Sequence, residues 1–436
     1  MFSFTFENLH AQIFPQIKIQ PDEEKFVVDT IKISGNEITE DFIILRELTF
    51  KVGDTVSTSI LKFNSERIFS LRLFNNVDVY PVKVDDKTIV QIDVKEAWYI
   101  YPIPFLRRAD HHSNSYSYGI NLTIKNFRGR NENLHAVVGL GYDPFYLLLY
   151  DNPALLFKED LGISVGATYL NSQNKNEVAK NLYGGDYKNK YYSGSLAIYK
   201  RFDQFNHLAL VGMFDYVKTP GDVYFKGMSA SGKNIDRVLS FGFEYNYDTR
   251  DLKQFPQFGL MADIYYLHKG FGINNVSYNL VKGEYQQFVK IFGSLTTRWR
   301  LAFRSTFGRV VPYYDYSYLG YGEYVRGHSD DEREGNNLVL SSFELSYPII
   351  NEFDFHIKLP LIPEKLTSAR IGIFLTAFAD AGNTFNNNEP IRIKDFYSGY
   401  GVGLTILVLP YNALRFEYAF GDNGNKEFLL GTGFAF

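Results

Sequence analysis

The chain has no cysteine, two tryptophans and four methionines in 436 residues. Without cysteine there is no disulfide scaffold, and no zinc, iron–sulfur or thiolate chemistry built on sulfur. Compartment stays open, because oxidising compartments also hold cysteine-free proteins. Long hydrophobic runs are missing as well: the densest, such as residues 146–150, fall far short of the roughly 18 to 20 apolar residues of a spanning helix. Charge of one sign does not dominate, since 45 Lys+Arg stand against 49 Asp+Glu for a net −4, and nothing global points to nucleic acid. A mean hydropathy of −0.19 with 22% charged residues excludes a helical membrane protein. Aromatic residues are in excess, with 39 Phe and 33 Tyr bringing the fraction to 17%. Two classes survive: a large soluble all-β protein, or a β-barrel that hides lipid-facing residues by alternation.

Residues 1–24 read as a signal remnant or linker. Leu9-His10-Ala11-Gln12 resembles the small-residue exit of a secretory signal, but a basic start and a full apolar run are absent and Glu7 intrudes, so a disordered tail is the alternative. Residues 25–97 read as a small α+β domain. Val27, Ile31 and Ile33 lie in a β-rich run closed by Ser34-Gly35-Asn36. Thr39 stands where it would cap a short helix, and a second helix after Gly53-Asp54 carries Ile60, Leu61, Ile68, Leu71 and Leu73, with Ser57 or Ser59 as cap and Asn75-Asn76 as its stop. Two alternating strands, 77–84 and 87–95, turn at Asp85-Asp86.

Residues 98–436 contain no convincing helix and read as strands separated by Gly, Asn, Asp and Pro. Parity carries the information. Phe241, Phe243, Tyr245 and Tyr247 share one face against Gly242, Glu244, Asn246 and Asp248; Trp299, Leu301, Phe303 and Phe307 oppose Arg298, Arg300 and Arg304; Leu414, Phe416, Tyr418 and Phe420 oppose Arg415 and Glu417. A sandwich would bury that apolar face, whereas a membrane barrel turns it to lipid and lines a wet lumen with the charged one. Candidate strands begin near Tyr99, Tyr116, Asn133, Tyr146, Leu161, Tyr191, His207, Val238, Gly259, Asn275, Gly293, Asn337, Ala369, Ser398, Ala413 and Glu427, about sixteen, the even count of a bacterial barrel. Long connections at 170–190, 218–237 and 308–336 alternate with tight turns such as 127–131.

These residues resemble a known family. Ile31-Lys32-Ile33-Ser34-Gly35-Asn36, Arg46-Glu47-Leu48, Gly53-Asp54, the segment from Arg67 to Phe74 and Val94-Lys95-Glu96 stand at the spacing of a POTRA domain. The remainder is similar to the barrel of the BamA/TamA superfamily: Val325-Arg326-Gly327-His328 after Leu319-Gly320, Asp248 to Arg250 leading to Pro256, Glu344 to Pro348, Phe378 to Asn383, and Gly401 to Leu404. The resemblance implies a membrane β-barrel of about sixteen antiparallel strands preceded by one POTRA domain. It implies a Gram-negative outer membrane with the POTRA domain in the periplasm, an organellar outer membrane being the less favoured alternative. There are two departures. The fourth motif residue, usually Phe or Tyr, is His328, and assembly factors of the superfamily usually carry several POTRA domains where this chain has one.

The superfamily motif further implies that Arg326 reaches Glu344 and Asp380, and parity independently turns both carboxylates into the lumen. A guanidinium cannot discharge by losing its proton, so inside a barrel it needs fixed carboxylates. The alternative is an exposed loop Arg with two solvated carboxylates. Gly431, Phe434 and Phe436 resemble the aromatic-ended segment of barrels delivered to assembly machinery, or are simply a last strand facing lipid. Pro102 and Pro104 remove two ladder donors from the first barrel strand, which fits a weak seam against the last. His111-His112 have no metal partner at useful spacing, Asp330, Asp331, Glu332 and Glu334 read as a solvated acidic cluster, and no nucleophile motif, P-loop or dinucleotide fingerprint appears. No catalytic residue, metal or cofactor is expected. The expected partners are outer-membrane lipids and, through the POTRA domain, unfolded barrel clients, an exported polypeptide or periplasmic accessory proteins. Three functions compete: an assembly or insertion factor, a polypeptide translocator of the two-partner secretion kind, and the barrel anchor of a patatin-like surface enzyme.

Overall fold

Two sheets of very different size organise the chain, in a computed structural model that describes residues 24–108, 115–320, 322–360 and 363–432. His111, His112, Phe434 and Phe436 lie outside the described residues. The first unit contains β1 (Lys25–Val27), β2 (Thr30–Ser34), α1 (Asp41–Leu45), β3 (Thr55–Ser57), α2 (Thr58–Phe69), β4 (Phe74–Val84) and β5 (Lys87–Glu96). β1 pairs with β3, and the three-stranded sheet runs β2-β5-β4 with β2 parallel to β5. Both helices pack on one face of it, burying Ile43, Ile44, Leu61, Ile68 and Phe69 against Val90, Ile92 and Val94.

The expected caps are not the ones formed. Glu40 occupies the N-cap of α1 without a side-chain bond, because the Thr39 hydroxyl is already committed to Glu96 Oε1 at 2.7 Å. Ser57 precedes α2 but caps nothing; its hydroxyl meets that of Ser59 at 2.9 Å. α2 also ends at Phe69, so Asn75 and Asn76 sit inside β4 and do not stop the helix.

The large sheet has sixteen strands. They are β6 (Ile100–Arg108), β7 (Tyr116–Phe127), β8 (Glu132–Gly141), β9 (Phe145–Leu156), β10 (Leu161–Gln173), β11 (Lys188–Arg201), β12 (Asn206–Lys218), β13 (Ile235–Asp248), β14 (Gly259–Lys269), β15 (Tyr278–Phe292), β16 (Leu295–Gly308), β19 (Asn337–His356), β20 (Ser368–Phe385), β21 (Tyr397–Leu409), β22 (Asn412–Gly421) and β23 (Lys426–Thr432). The short hairpin β17 (Ser317–Leu319) with β18 (Arg333–Gly335) belongs to the loop between β16 and β19. Each strand pairs antiparallel with its neighbours in a continuous meander, and no helix among the described residues is long and apolar enough to cross a membrane. The connection between β10 and β11 holds a helix the sequence reading did not foresee, α3 (Glu177–Tyr183), started by Asn176 accepting the Ala179 N–H.

The wall follows the parity. Phe241, Phe243, Tyr245, Trp299, Leu301, Phe303, Phe307, Leu414 and Tyr418 are exposed on the outer face, while Arg298, Glu344, Asp380 and Glu417 are buried on the inner one. The small domain does not hang free below this wall. Its apolar core continues into Ala154, Leu252, Phe255, Phe374, Leu407, Leu409 and Ala413, residues of the barrel strands and their turns.

Candidate functional site

The loop between β16 and β19 folds back into the barrel. Its anchor is apolar: Val325 packs with Leu319, Leu338 and Leu340. The next residue brings a charge. Arg326 grips Asp380 with two parallel bonds, Nε to Oδ2 at 2.6 Å and Nη2 to Oδ1 at 2.7 Å. Its Nη1 donates to Glu344 Oε1 at 2.6 Å and to Glu417 Oε1 at 2.8 Å, and the guanidinium lies over the Phe378 ring at 3.6 Å. Glu417 is a partner the sequence reading missed. Its inward parity was visible, but its adjacency to Glu344 and Asp380 depends on which strands stand side by side. Arg415 Nη2 reaches Glu417 at 2.5 Å and Glu344 at 3.4 Å, and Arg298 lies 3.9 Å from Glu344. Two buried cations, Arg298 and Arg326, and the half-buried Arg415 thus face three buried carboxylates, the balance that makes charge tolerable away from water.

The tip beyond Arg326 needs room for backbone on backbone. Gly327 has φ +96°, and a Cβ there would sit 2.7 Å from Gly421 N; a Cβ at Gly399 would sit 1.8 Å from the Arg326 carbonyl. Only glycine allows this approach. His328 supplies the flat ring that Phe or Tyr would supply, stacking on Tyr397 at 4.4 Å and 13°. It also reaches carboxylates on either side, Asp331 at 2.6 Å and Asp422 at 2.7 Å. Glu427 of β23 accepts the Gly327 and Ser329 N–H groups, each at 3.0 Å. The acidic run is therefore only partly solvated: Asp331 holds His328, and Glu334 accepts the first N–H groups of α3 at 3.1 and 3.3 Å.

At the opposite end the small domain meets the turns of the barrel. Glu47 is the pivot, accepting from Arg201 Nη1 at 2.6 Å and lying 3.4 Å from Arg67 Nη2. Burial alone would raise the Glu47 carboxyl, but Arg201 and Arg67 beside it bring it down to about 2. Arg67 also donates to the Gln204 carbonyl at 2.5 Å and Arg201 to the Arg46 carbonyl at 2.9 Å. Around the rim, Glu40 meets Arg130 at 2.6 Å, Glu66 meets Arg370 at 2.8 Å, and Asn126 donates to Thr39 at 2.9 Å.

The third element is the seam. β6 and β23 are the two ends of the large sheet, and among the described residues no ladder joins them. The register fixes what β6 offers there. The Lys125 N–H donates to the Tyr99 carbonyl at 2.8 Å, and the ladder then runs unbroken from Ile100↔Ile124 to Arg108↔Tyr116. Hydrogen-bonded pairs alternate in an antiparallel ladder, so the odd-numbered residues of β6 turn their backbone groups to β7 and the even-numbered ones turn theirs to the seam. Pro102 and Pro104 are even. Both pyrrolidine nitrogens point at the seam, which presents carbonyls but no N–H between Ile100 and Leu106. Gly431 lies in β23 opposite Arg415 of β22, away from Arg326.

A β-barrel with a charged loop pinned inside and a small α+β domain at one mouth defines a class of outer-membrane proteins. Residues 126–436 match the Omp85 superfamily domain, and residues 26–97 match the POTRA family, described as a surface antigen variable number repeat. The chain belongs to the Omp85 superfamily and carries one POTRA domain, in a barrel of the bacterial outer membrane. It is 25% identical over 271 residues to the outer membrane protein assembly factor BamA of Neorickettsia risticii (strain Illinois), covering 57% of this chain and 34% of that protein. Over 75 residues it is 29% identical to the protein of the same name from Nitratidesulfovibrio vulgaris, 17% of this chain and 10% of that one. The matches thus span about a third or less of those relatives' length. Among solved structures, BamA from Haemophilus ducreyi lacking POTRA domains 1–3 superposes with a TM-score of 0.52 at 19% identity, covering 93% of this chain and 83% of that one. CdiB from Escherichia coli gives 0.56 at 12% identity, covering 93% and 74%. At these identities the two likenesses speak to fold alone.

Proposed function

We propose that the chain is a non-enzymatic assembly factor that receives extended client polypeptides at its POTRA domain and offers them the edge at the β6/β23 seam. The observation that carries this reading is the pair of proline nitrogens aimed at the seam. An edge short of two donors cannot pair fully with β23, and unpaired backbone groups in hydrocarbon cost several kcal/mol each, so the wall is weak at a place where a strand could be added. The two sides of the seam play different parts: β23 is held to the lumen loop through Glu427 and stands as the post, and β6 yields.

Passage of a polypeptide through the lumen is the second reading, in keeping with the CdiB-like fold. Against it stand the loop pinned to the inner wall through Arg326 and the POTRA core packed on the barrel turns at the other mouth. Depletion of the protein in its own cells separates the two. Loss of many outer-membrane barrels is the expected result, and loss of a single exported protein with normal barrel content would sink the assembly reading.

A further inference from the structure

The β19–β20 hairpin outruns its neighbour. β19 pairs with β16 only from Asn337 to Ser346, yet its ladder with β20 continues to His356. Among the described residues no strand pairs with the other edge of residues 347–356. The Ile357 N–H donates to the Thr367 carbonyl at 3.1 Å, so by alternation Phe353, Phe355 and Ile357 direct their backbone groups to β20, and Asp354 and His356 direct theirs to the open edge. Side chains divide the same way. Asp354 reaches Asn76 of the POTRA domain at 2.8 Å, whereas Phe353, Phe355 and Ile357 lie 42–46% exposed on the opposite face.

An open edge beside an apolar stripe is a feature that proteins usually blunt. Pro348 and the ladder irregularities between Pro348 and Phe353 do so on the upper part of the extension; the ladder from Phe353 to His356 has no such break. Lipid is a poor cover, because hydrocarbon would leave the N–H and C=O groups of Asp354 and His356 unsatisfied. A strand satisfies both the edge and the stripe. Its chemistry is set by the inner face, where Arg370 is shared among Glu66, Glu352 and Asp354, and where burial, with Asp354 nearby, pushes the Asp78 carboxyl above its ordinary range. On that face Arg370, Lys62 and Lys95 stand against Glu66, Glu352, Asp354, Asp78 and Asp93, an excess of carboxylates.

We propose that residues 353–357 are a docking strand for an extended client segment that is alternately apolar and basic, its backbone paired with Asp354 and His356. Its apolar side chains would lie against Phe353, Phe355 and Ile357, and its basic ones beside Glu352, Asp354 and Asp78. The site is separate from the seam and rests on the assembly reading only for the identity of its occupant.

The test uses the full chain in lipid nanodiscs and a synthetic peptide alternating leucine and lysine as the probe. Expected are slowed amide exchange at Asp354 and His356 on adding peptide, and peptide affinity weakened about tenfold by His356→Pro, which removes an N–H that the β20 ladder does not use. Phe355→Ser should weaken it similarly. A peptide N-methylated at alternate positions should lose binding to the unaltered protein, an arm that does not depend on any variant folding. Binding unchanged by both His356→Pro and N-methylation overturns the proposal. Quenching of a Phe355→Trp variant by brominated lipid, with no peptide protection of the edge, overturns it in favour of a lipid-covered face. Peptide binding is read on purified protein, so it stands or falls apart from the depletion phenotype.

Discussion

The two strands that meet at the seam are held in opposite ways. β23 is tied inward: Glu427 takes two N–H groups from the loop tip, and the same loop bonds Glu344, Asp380 and Glu417 on β19, β20 and β22. The last strands of the wall and the loop therefore form one cross-braced body. β6 pairs with β7 among the described residues and turns two prolines toward the gap. Side chains brace one flank, and two backbone donors are missing from the other.

The largest disruption of this asymmetry should come from Arg326→Ala. It strips Asp380 of its bidentate partner and leaves Glu344 and Glu417 to Arg415 and Arg298, and breaking a buried pair from one side costs about 3–5 kcal/mol. The expected outcome is loss of the heat-stable barrel and fast amide exchange across residues 325–330; protection equal to the parent protein would contradict the brace. Next in size is the acid response of the POTRA contact. Because Glu47 is held at about 2 in the folded state, below its ordinary value of about 4.3, its contribution is full above that ordinary value and is lost as pH falls toward 2. Spin-label distances between the POTRA domain and the barrel should lengthen over that window, and less so in Glu47→Gln; distances unchanged down to pH 2 would refute the role of the pair.

Glu427→Gln should cost about 1.5–3 kcal/mol, the range for bonds to a charged group, and quicken exchange at Gly327, Ser329 and along β23 while leaving β6 as it was. Equal loosening of β6 would show that the two flanks are not distinct. Pro104→Ala restores one seam donor, worth about 1 kcal/mol. It should tighten the seam, read as a cysteine pair between β6 and β23 that forms more completely in this cysteine-free chain, and it should slow client insertion. A faster or unchanged rate would remove Pro104 from the mechanism. The smallest effect is expected for His328→Phe, which keeps the ring on Tyr397 and gives up the contacts with Asp331 and Asp422; a loss as large as that of Arg326→Ala would mean that those contacts, and not the stacking, hold the tip.

Much of the wall could be read in advance because each strand states its own two faces. Trp299 outward and Arg298 inward follow from neighbouring positions, and the turn residues between such runs yield the strand count. The motif resemblance named Arg326, Glu344 and Asp380 together. Glu417 was legible only as inward-facing, since its meeting with Arg326 across 91 positions is a property of strand order and stagger. Thr39 shows the same limit on a smaller scale. A Thr before a helix is a sound cap by local rules, but Glu96 from a distant strand offers its hydroxyl a charged acceptor, and the tertiary partner wins. α3 was missed because a single helical turn or two inside a long loop leaves little periodicity. The direction of the two proline nitrogens required a ladder register, which composition cannot supply.

The core shared between the POTRA domain and the barrel turns bears on how the chain builds itself. Contacts inside the POTRA domain join residues near one another in sequence, whereas those to Leu407, Leu409 and Ala413 close loops of more than three hundred positions, the slow, non-local kind. Contact order alone would let the small domain finish while the wall is still being laid down, so that the final hairpins came to rest on a surface already in place. A POTRA domain folded first would be the jig on which its own barrel is brought into register.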